Sequence, residues 1–514
     1  MELATTLTRP RSGLARLAHA RAWVRDSRRR LGRVPEAVWA RGAFALVCVG
    51  AAIGALVYPT YPIYDSDYAL LWGREALHLH ALTFQVYRAP TEHPLSIAFG
   101  ALLSPLGQHA ERVMILSTIA SFLAIVAGVY RLGRVVFTPL VGVVAAALLL
   151  SRFNLSFLAV RGYIDIPYMA VVVWAAALEA QHPRRGTPVF VLLLAAELMR
   201  PDAWLIAGLY FLWCAWPASW RRRLLYAGLT AAGPLIWAGL DDLETGDPLF
   251  SLHSTSGLAA ALGRNSGLGS VPSSLWTFLV RLDKGPLLVG AIAGLGLAIW
   301  LVPTRVVIPL VLLVIGMVTF GVIGAAGLSV IDRYLLLPAL MVLIFCAVAL
   351  AGWTMLEPGG LLRRVWALGA LVLTVYGVTA AATTVSIQQI QTELGFRGDS
   401  HVELAAILSQ PKVAAGLRCG PLSLPNRKLV PDARWILQRG PSGVVDRSQA
   451  LVLQAAGKPA LMRSIQRGVA LYPTGLAVAR EALVDNTDNP AEQVPMAGFV
   501  RVATTQYYGA YVNC

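Results

Sequence analysis

Apolar runs of roughly 20 residues recur along this chain, from the run near 42–58 to the run near 364–384. That is the length a helix needs to cross about 30 Å of hydrocarbon. Backbone polar groups in lipid must be satisfied within their own segment. These Leu-, Ala- and Val-rich runs lack the alternation of a barrel strand, so they predict helices. Composition agrees, with 56% of the 514 residues hydrophobic and 14% charged, too little charge to cover a water-soluble surface of this size. The expected class is mainly α: a polytopic helical membrane protein.

The net charge of +15 would suit a nucleic-acid binder if it lay on a folded surface. Instead Arg9, Arg11, Arg16, Arg21, Arg25, Arg28, Arg29, Arg30, Arg33 and Arg41 precede the first run, against three acids. Residues 1–41 therefore predict a basic cytoplasmic segment near anionic lipid, with no nucleic-acid partner. Further runs near 112–130, 135–150, 166–180, 187–199, 203–216, 223–240, 286–302, 306–327 and 333–351 bring the expected number of spans to about eleven. RLGR at 131–134, RRG at 184–186 and WRRR at 220–223 read as cytoplasmic turns. The run 94–106 is too short to span, and counting it would place the later basic turns outside. It reads as a juxtamembrane helix on the outer face, paired with an amphipathic helix near 66–80.

On this topology, residues 42–387 form the transmembrane domain, with a first outer loop at 59–111. Residues 388–514 change to mixed polarity with turn-forming stretches such as RCGPLSLPNRK and DNTDNP. They predict a soluble extracytoplasmic domain, where Cys419 and Cys514 are able to pair. No paired CxxC motif and no Gly-Lys-Ser/Thr phosphate loop is present.

Polar residues rare in such chains gather on the outer side. Asp65, Asp67, Glu92 and His93 lie in the first outer loop, Arg161 and Asp165 in the second. Arg200 and Asp202 stand between two short runs, DDLETGD opens a long acidic loop, and Asp332, Arg333 and Tyr334 begin a late run. Single charges at helix ends are often solvated caps; carboxylates beside a bilayer more often serve chemistry or transport.

Four segments in order, DSDYALLWGREAL (65–77), TEHPL (91–95), RGYIDIP (161–167) and RYLLLP (333–338), resemble the GT-C glycosyltransferases. That superfamily includes the protein O-mannosyltransferases and lipid A aminoarabinose transferases. The resemblance implies a cell-membrane enzyme that moves a sugar from a polyprenyl-phosphate donor to a hydroxyl on the extracytoplasmic face. The acceptor would be a protein, a glycolipid or a polysaccharide. The resemblance departs at Asp65-Ser66-Asp67, where either aspartate can be the counterpart of the family's acid. It implies Asp65 as general base with Asp67 in reserve. Glu92 and Asp165 would orient hydroxyls or help hold a metal; His93, Arg161 and Arg333 would hold the phosphate, with Arg200 and Tyr334 as neighbouring substrate-binding residues. The chemistry is consistent, because a phosphate leaving group needs no acid partner and one carboxylate is sufficient to take the acceptor proton.

Asp65, Asp67, His78, His80, Glu92, His93 and Asp165 are suitable ligand types for a divalent metal, but their spacing fits no strong template. His78 and His80, two apart on an expected helix, would point to different faces. Two other classes remain open: a secondary transporter or lipid flippase, which Pro201 within a hydrophobic stretch would suit, and a scaffold whose outer domain binds a partner.

Overall fold

The computed structural model describes residues 35–384, 387–475 and 495–514. The arginines from Arg9 to Arg33 and the DNTDNP stretch lie outside the described residues. The chain divides into two compact units, Met1–Ile53 and Gly54–Cys514. The first is described as part of α1 (Glu36–Val57), an apolar helix with outward Leu46, Val49 and Ile53.

The second unit begins with the helix pair α2 (Tyr64–Leu77) and α3 (Pro94–Leu103). Then come α4 (His109–Val136), α5 (Pro139–Leu150), α6 (Phe153–Ala159), α7 (Asp165–Gln181), α8 (Thr187–Glu197), α9 (Ala203–Ala215) and α10 (Trp220–Thr245). The membrane-type part closes with α11 (Phe250–Ala261), α12 (Val271–Asp283), α13 (Gly285–Leu301), α14 (Val307–Ala325), α15 (Leu336–Ala351) and α16 (Leu361–Thr384). Pro at the first positions of α3, α5, α8 and α13 starts them where no N–H is needed.

A helix stands at each predicted run, but the count of eleven spans is not established. Five helical segments of the described residues are each long and apolar enough to cross: Glu36–Val57, His109–Val136, Val307–Ala325, Asp332–Met355 and Leu361–Thr379. Two bent pairs raise this to seven: α5 with α6, bent 68°, and Leu268–Asp283 with α13, bent 97°. The molecule is thus a multi-pass membrane protein whose remaining apolar helices are short. RLGR is not a turn but the last turns of α4, because nothing breaks the helix before Thr138-Pro139, where the Thr138 side chain caps α5. DDLETGD is mostly helix as well. α10 runs to Thr245 and stops at Gly246, whose φ of 76° suits the left-handed cap.

α15 is the buried axis of the helical core, with Leu340, Ile344, Phe345 and Val348 packed against neighbours on all sides. Large apolar side chains of α16, such as Leu368 and Val372, face outward as a lipid-exposed helix requires. Helices stand at both positions expected for the short pair, α2 and α3, and glycine sets how close they lie. A Cβ on Gly73 would sit 2.2 Å from the Ala101 nitrogen, and one on Gly100 would sit 2.2 Å from the Ala69 carbonyl oxygen.

After α17 (Ile387–Leu408) and α18 (Pro411–Gly416), a five-stranded mixed sheet is built from β1 (Leu422–Leu424), β2 (Val444–Asp446), β3 (Gly468–Pro473), β4 (Val500–Thr504) and β5 (Tyr508–Asn513). Its order is β2-β1-β3-β5-β4. β1 runs parallel to β2 and β3, while β5 is antiparallel to β3 and β4. Leu404, Ile407, Leu422, Leu471 and Tyr508 form its own core. Cys419 and Cys514 are disulfide-bonded. α19 (Val430–Leu437), between β1 and β2, reaches a different place. Its Trp435 is buried with Tyr68, Leu71 and Trp72 of α2 and with Phe84.

Candidate active site

Asp65 and Asp67 occupy the first turn of α2, where the helix dipole favours carboxylates. Two residues along a helix is about 200° of rotation, so the two acids face opposite ways. Asp65 is partly exposed and pairs with Arg333 Nη1 at 3.2 Å. Asp67 is buried, and its carboxyl is held well above the usual range by burial and then by the negative charges of Asp432, Glu111 and Asp65.

Arg333 comes from the short 3-10 turn Asp332–Leu335 ahead of α15. Its Nη1 also lies 3.8 Å from Asp165 at the start of α7, and its guanidinium stacks 4.9 Å from the Tyr163 ring. Asp165 is fully buried and binds Arg200, which also pairs with Asp202 at 2.9 Å. Arg200 lies between the rings of Tyr168 and Tyr334, at 5.2 and 5.0 Å. Segments more than 260 residues apart thus build one ladder, Asp65–Arg333–Asp165–Arg200–Asp202. Asp165 and Arg200 within it are buried, while Asp65 and Arg333 keep about a quarter of their side-chain surface.

His93, the residue before α3, has an extended backbone, and it and Glu92 reach different surroundings. His93 faces the ladder. Burial, then the Arg200 cation, pushes its imidazole down to about 4. It is therefore neutral near pH 7 and cannot serve there as the phosphate-holding cation expected from sequence. Its ring lies 5.8 Å from Trp237. Glu92 points away, with its Oε2 2.9 Å from the Ser251 hydroxyl, which is also 2.8 Å from Asp241 Oδ1. One hydroxyl proton cannot serve both carboxyls. Burial raises Glu92 to about 7, so below that pH protonated Glu92 donates to Ser251 and Ser251 donates to Asp241. Glu92 therefore belongs to a separate buried chain, not to the Asp65–Asp165 group with which it was expected.

Arg161 stacks between Phe157 and Tyr163, at 5.0 and 5.2 Å. Burial, ahead of every nearby charge, lowers its guanidinium from the ordinary value. Its backbone carbonyl accepts from the Ile63 N–H at 2.9 Å, which fixes the entry to α2. His78 and His80 lie past the end of α2, with their exposed rings stacked 6.0 Å apart rather than on diverging helix faces.

The seven ligand types picked from sequence do not assemble. Among the described residues, three His, Cys, Asp or Glu side chains come within metal-binding reach at Glu111, His401 and Asp432. Sequence reading missed all three, together with Tyr163 and Ser251. Glu111 carried a faint signal, an acid in the first turn of a long apolar helix. His401 and Asp432 stand in no motif.

The C-terminal part also holds α2 in place. Buried Arg434 of α19 bonds Glu75 at 3.0 Å, Arg74 stacks 4.9 Å over Trp435, and His401 stacks on Tyr61 at 3.7 Å.

No protein-family model matches the sequence, and no curated protein matches it. Solved structures do. ArnT from Cupriavidus metallidurans bound to undecaprenyl phosphate aligns over 92% of this chain and 98% of its own, at 14% identity and a TM-score of 0.51. The apo state of ArnT from the same organism aligns over 93% and 99%, at 15% identity and a TM-score of 0.50. ArnT is a lipid A aminoarabinose transferase with the GT-C fold. Identities this low speak to architecture alone, and the match runs nearly end to end in both chains. The architecture of this chain is the GT-C fold.

Proposed function

We propose that this protein is a membrane glycosyltransferase that moves a sugar from a polyprenyl-phosphate donor to an acceptor hydroxyl on the extracytoplasmic face. The observation that carries the reading is the partly exposed Asp65–Arg333 pair at the open end of a buried ladder. A base and a cation are the two groups this transfer requires. The acceptor oxygen bonds to the anomeric carbon, the bond to the phosphate oxygen breaks, and the acceptor proton passes to Asp65. Arg333 turns its planar fork to the departing phosphate. Arg200, held by Asp165 and Asp202, positions Arg333 through their shared aspartate. Neutral His93 offers a hydrogen bond rather than a charge. Asp67, facing away, is not the base.

The undecaprenyl phosphate bound to ArnT supports a polyprenyl-phosphate donor. The Cys419–Cys514 disulfide supports an oxidising compartment for residues 388–514. The basic segment at 1–41 supports a cytoplasmic amino terminus.

The reading is tested by incubating the protein in nanodiscs with labelled polyprenyl-phosphate sugars and candidate acceptors. The expected result is a labelled glycoside accompanied by free polyprenyl phosphate. The two bent helix pairs also suit a transporter or flippase. Movement of lipid or solute across reconstituted vesicles, with no glycoside formed from any donor, would establish that second reading instead.

A further inference from the structure

We propose that Glu111, His401 and Asp432 bind one divalent transition-metal ion of the zinc class. The site is separate from the Asp65–Arg333 pair and independent of the transfer reaction. Glu111 lies at the start of α4, His401 in α17 and Asp432 in α19, and one potential ligand atom from each lies within 4.8 Å of the others. His401 Nε2 is 3.8 Å from Glu111 Oε2. Donor atoms about 2.1 Å from a tetrahedral metal stand roughly 3.4 Å apart, so modest side-chain rotation closes the set.

A second observation points to a ligand. Glu111 is 1% exposed, and neither of its carboxyl oxygens has a hydrogen-bond partner. A buried carboxyl left in that state is costly unless something fills its lone pairs. The guanidinium of the adjacent residue, Arg112, is engaged by the backbone carbonyls of Ala55 and Thr60. Asp67, also buried with an unpartnered Oδ1, adds a further carboxyl whose ionisation the negative charge of Asp432 and Glu111 opposes. A dication would offset this charge, and one imidazole with carboxylates is a donor set that zinc accepts.

The imidazole is already oriented. Tyr61 stacks on one face, and Nδ1 lies 3.1 Å from Asp432. In one arrangement Asp432 accepts from Nδ1 and Nε2 meets the metal beside Glu111, the carboxylate–histidine–metal pattern. In the other, Asp432 also ligates. Either way the ion would join the start of α4 to the C-terminal elements that hold α2.

The experiment is elemental analysis of the full chain in nanodiscs, stripped with chelator, incubated with zinc chloride and dialysed. Thermal melting is followed in parallel, with and without zinc. Wild type is expected to retain about one zinc per chain and to melt higher with it. Glu111→Gln and His401→Gln should bind at least tenfold more weakly and lose the zinc-dependent rise, while His253→Gln at an exposed histidine behaves as wild type. Asp432→Asn gives a third reading if either main variant fails to fold. A wild type that retains no zinc, or Glu111→Gln and His401→Gln proteins that retain it unchanged, would overturn the proposal.

Discussion

At the scale of single residues, burial decides which groups carry charge. Asp65 and Asp67 are indistinguishable by type, yet helical rotation sends one to an accessible arginine and the other into a buried cluster. Glu92 and His93 illustrate a second consequence, through opposite pH effects. Glu92 is raised from the 4.5 of an unfolded chain to about 7. The folded state therefore holds the extra proton, and stability falls as pH rises from 4.5 to 7. His93 is lowered from 6.5 to about 4. The unfolded state then holds the extra proton, and stability falls as pH drops from 6.5 to 4. Each effect is about 3 kcal/mol, so in the wild type they largely cancel between pH 4.5 and 6.5. Glu92→Gln keeps the hydrogen bond to Ser251 without titrating and is expected to unmask the histidine: melting temperature measured across this range should fall steeply towards acid. A pH profile unchanged from wild type would place the Glu92 proton elsewhere.

At the scale of elements, the α2–α3 pair is a preformed part rather than a mobile cover. Gly73 and Gly100 let α2 and α3 touch backbone to backbone. Gly100→Val is expected to force the pair apart, costing about 3 kcal/mol by overpacking. Thermal unfolding should report that loss, with transfer activity falling as Asp65 shifts from Arg333. The helices and the juxtamembrane pair were legible in sequence because apolar length and basic turns are strong local signals. Helix ends were less so, since RLGR and the DDLET of DDLETGD are polar enough to resemble turns, yet the helices run through them to Thr138-Pro139 and to Gly246. The ladder was legible as a set of residues and not as a connectivity. Nothing local announces that Arg333 meets Asp65, or that Glu92 turns from both.

At the scale of the whole molecule, the C-terminal elements extend beyond their own sheet core. Arg434 and Trp435 of α19 pack against α2, a contact no sequence pattern signals because it joins segments about 360 residues apart. Arg434→Ala leaves Glu75 without its buried partner. The expected loss is about 3 kcal/mol, read as a lower melting temperature and reduced activity although no substrate-contacting residue has changed. Wild-type melting would show that Glu75 is satisfied by Thr83 alone. The Cys419–Cys514 bond, with a sequence separation of 95, ties the end of β5 to the segment before β1. Cys419→Ser should destabilise these elements by about 2–4 kcal/mol, measurable as faster limited proteolysis between residues 388 and 514.

The central claim is that the Asp65 carboxylate takes the acceptor proton while Arg333 holds the leaving phosphate. Single-turnover transfer from a labelled polyprenyl-phosphate sugar, measured for wild type, Asp65→Asn and Asp67→Asn in nanodiscs with equal amounts of folded protein, tests it most directly. The account predicts that Asp65→Asn slows the chemical step by about 10²–10⁴-fold with donor binding retained, while Asp67→Asn keeps the chemical step within about tenfold of wild type. Wild-type turnover by Asp65→Asn would contradict it.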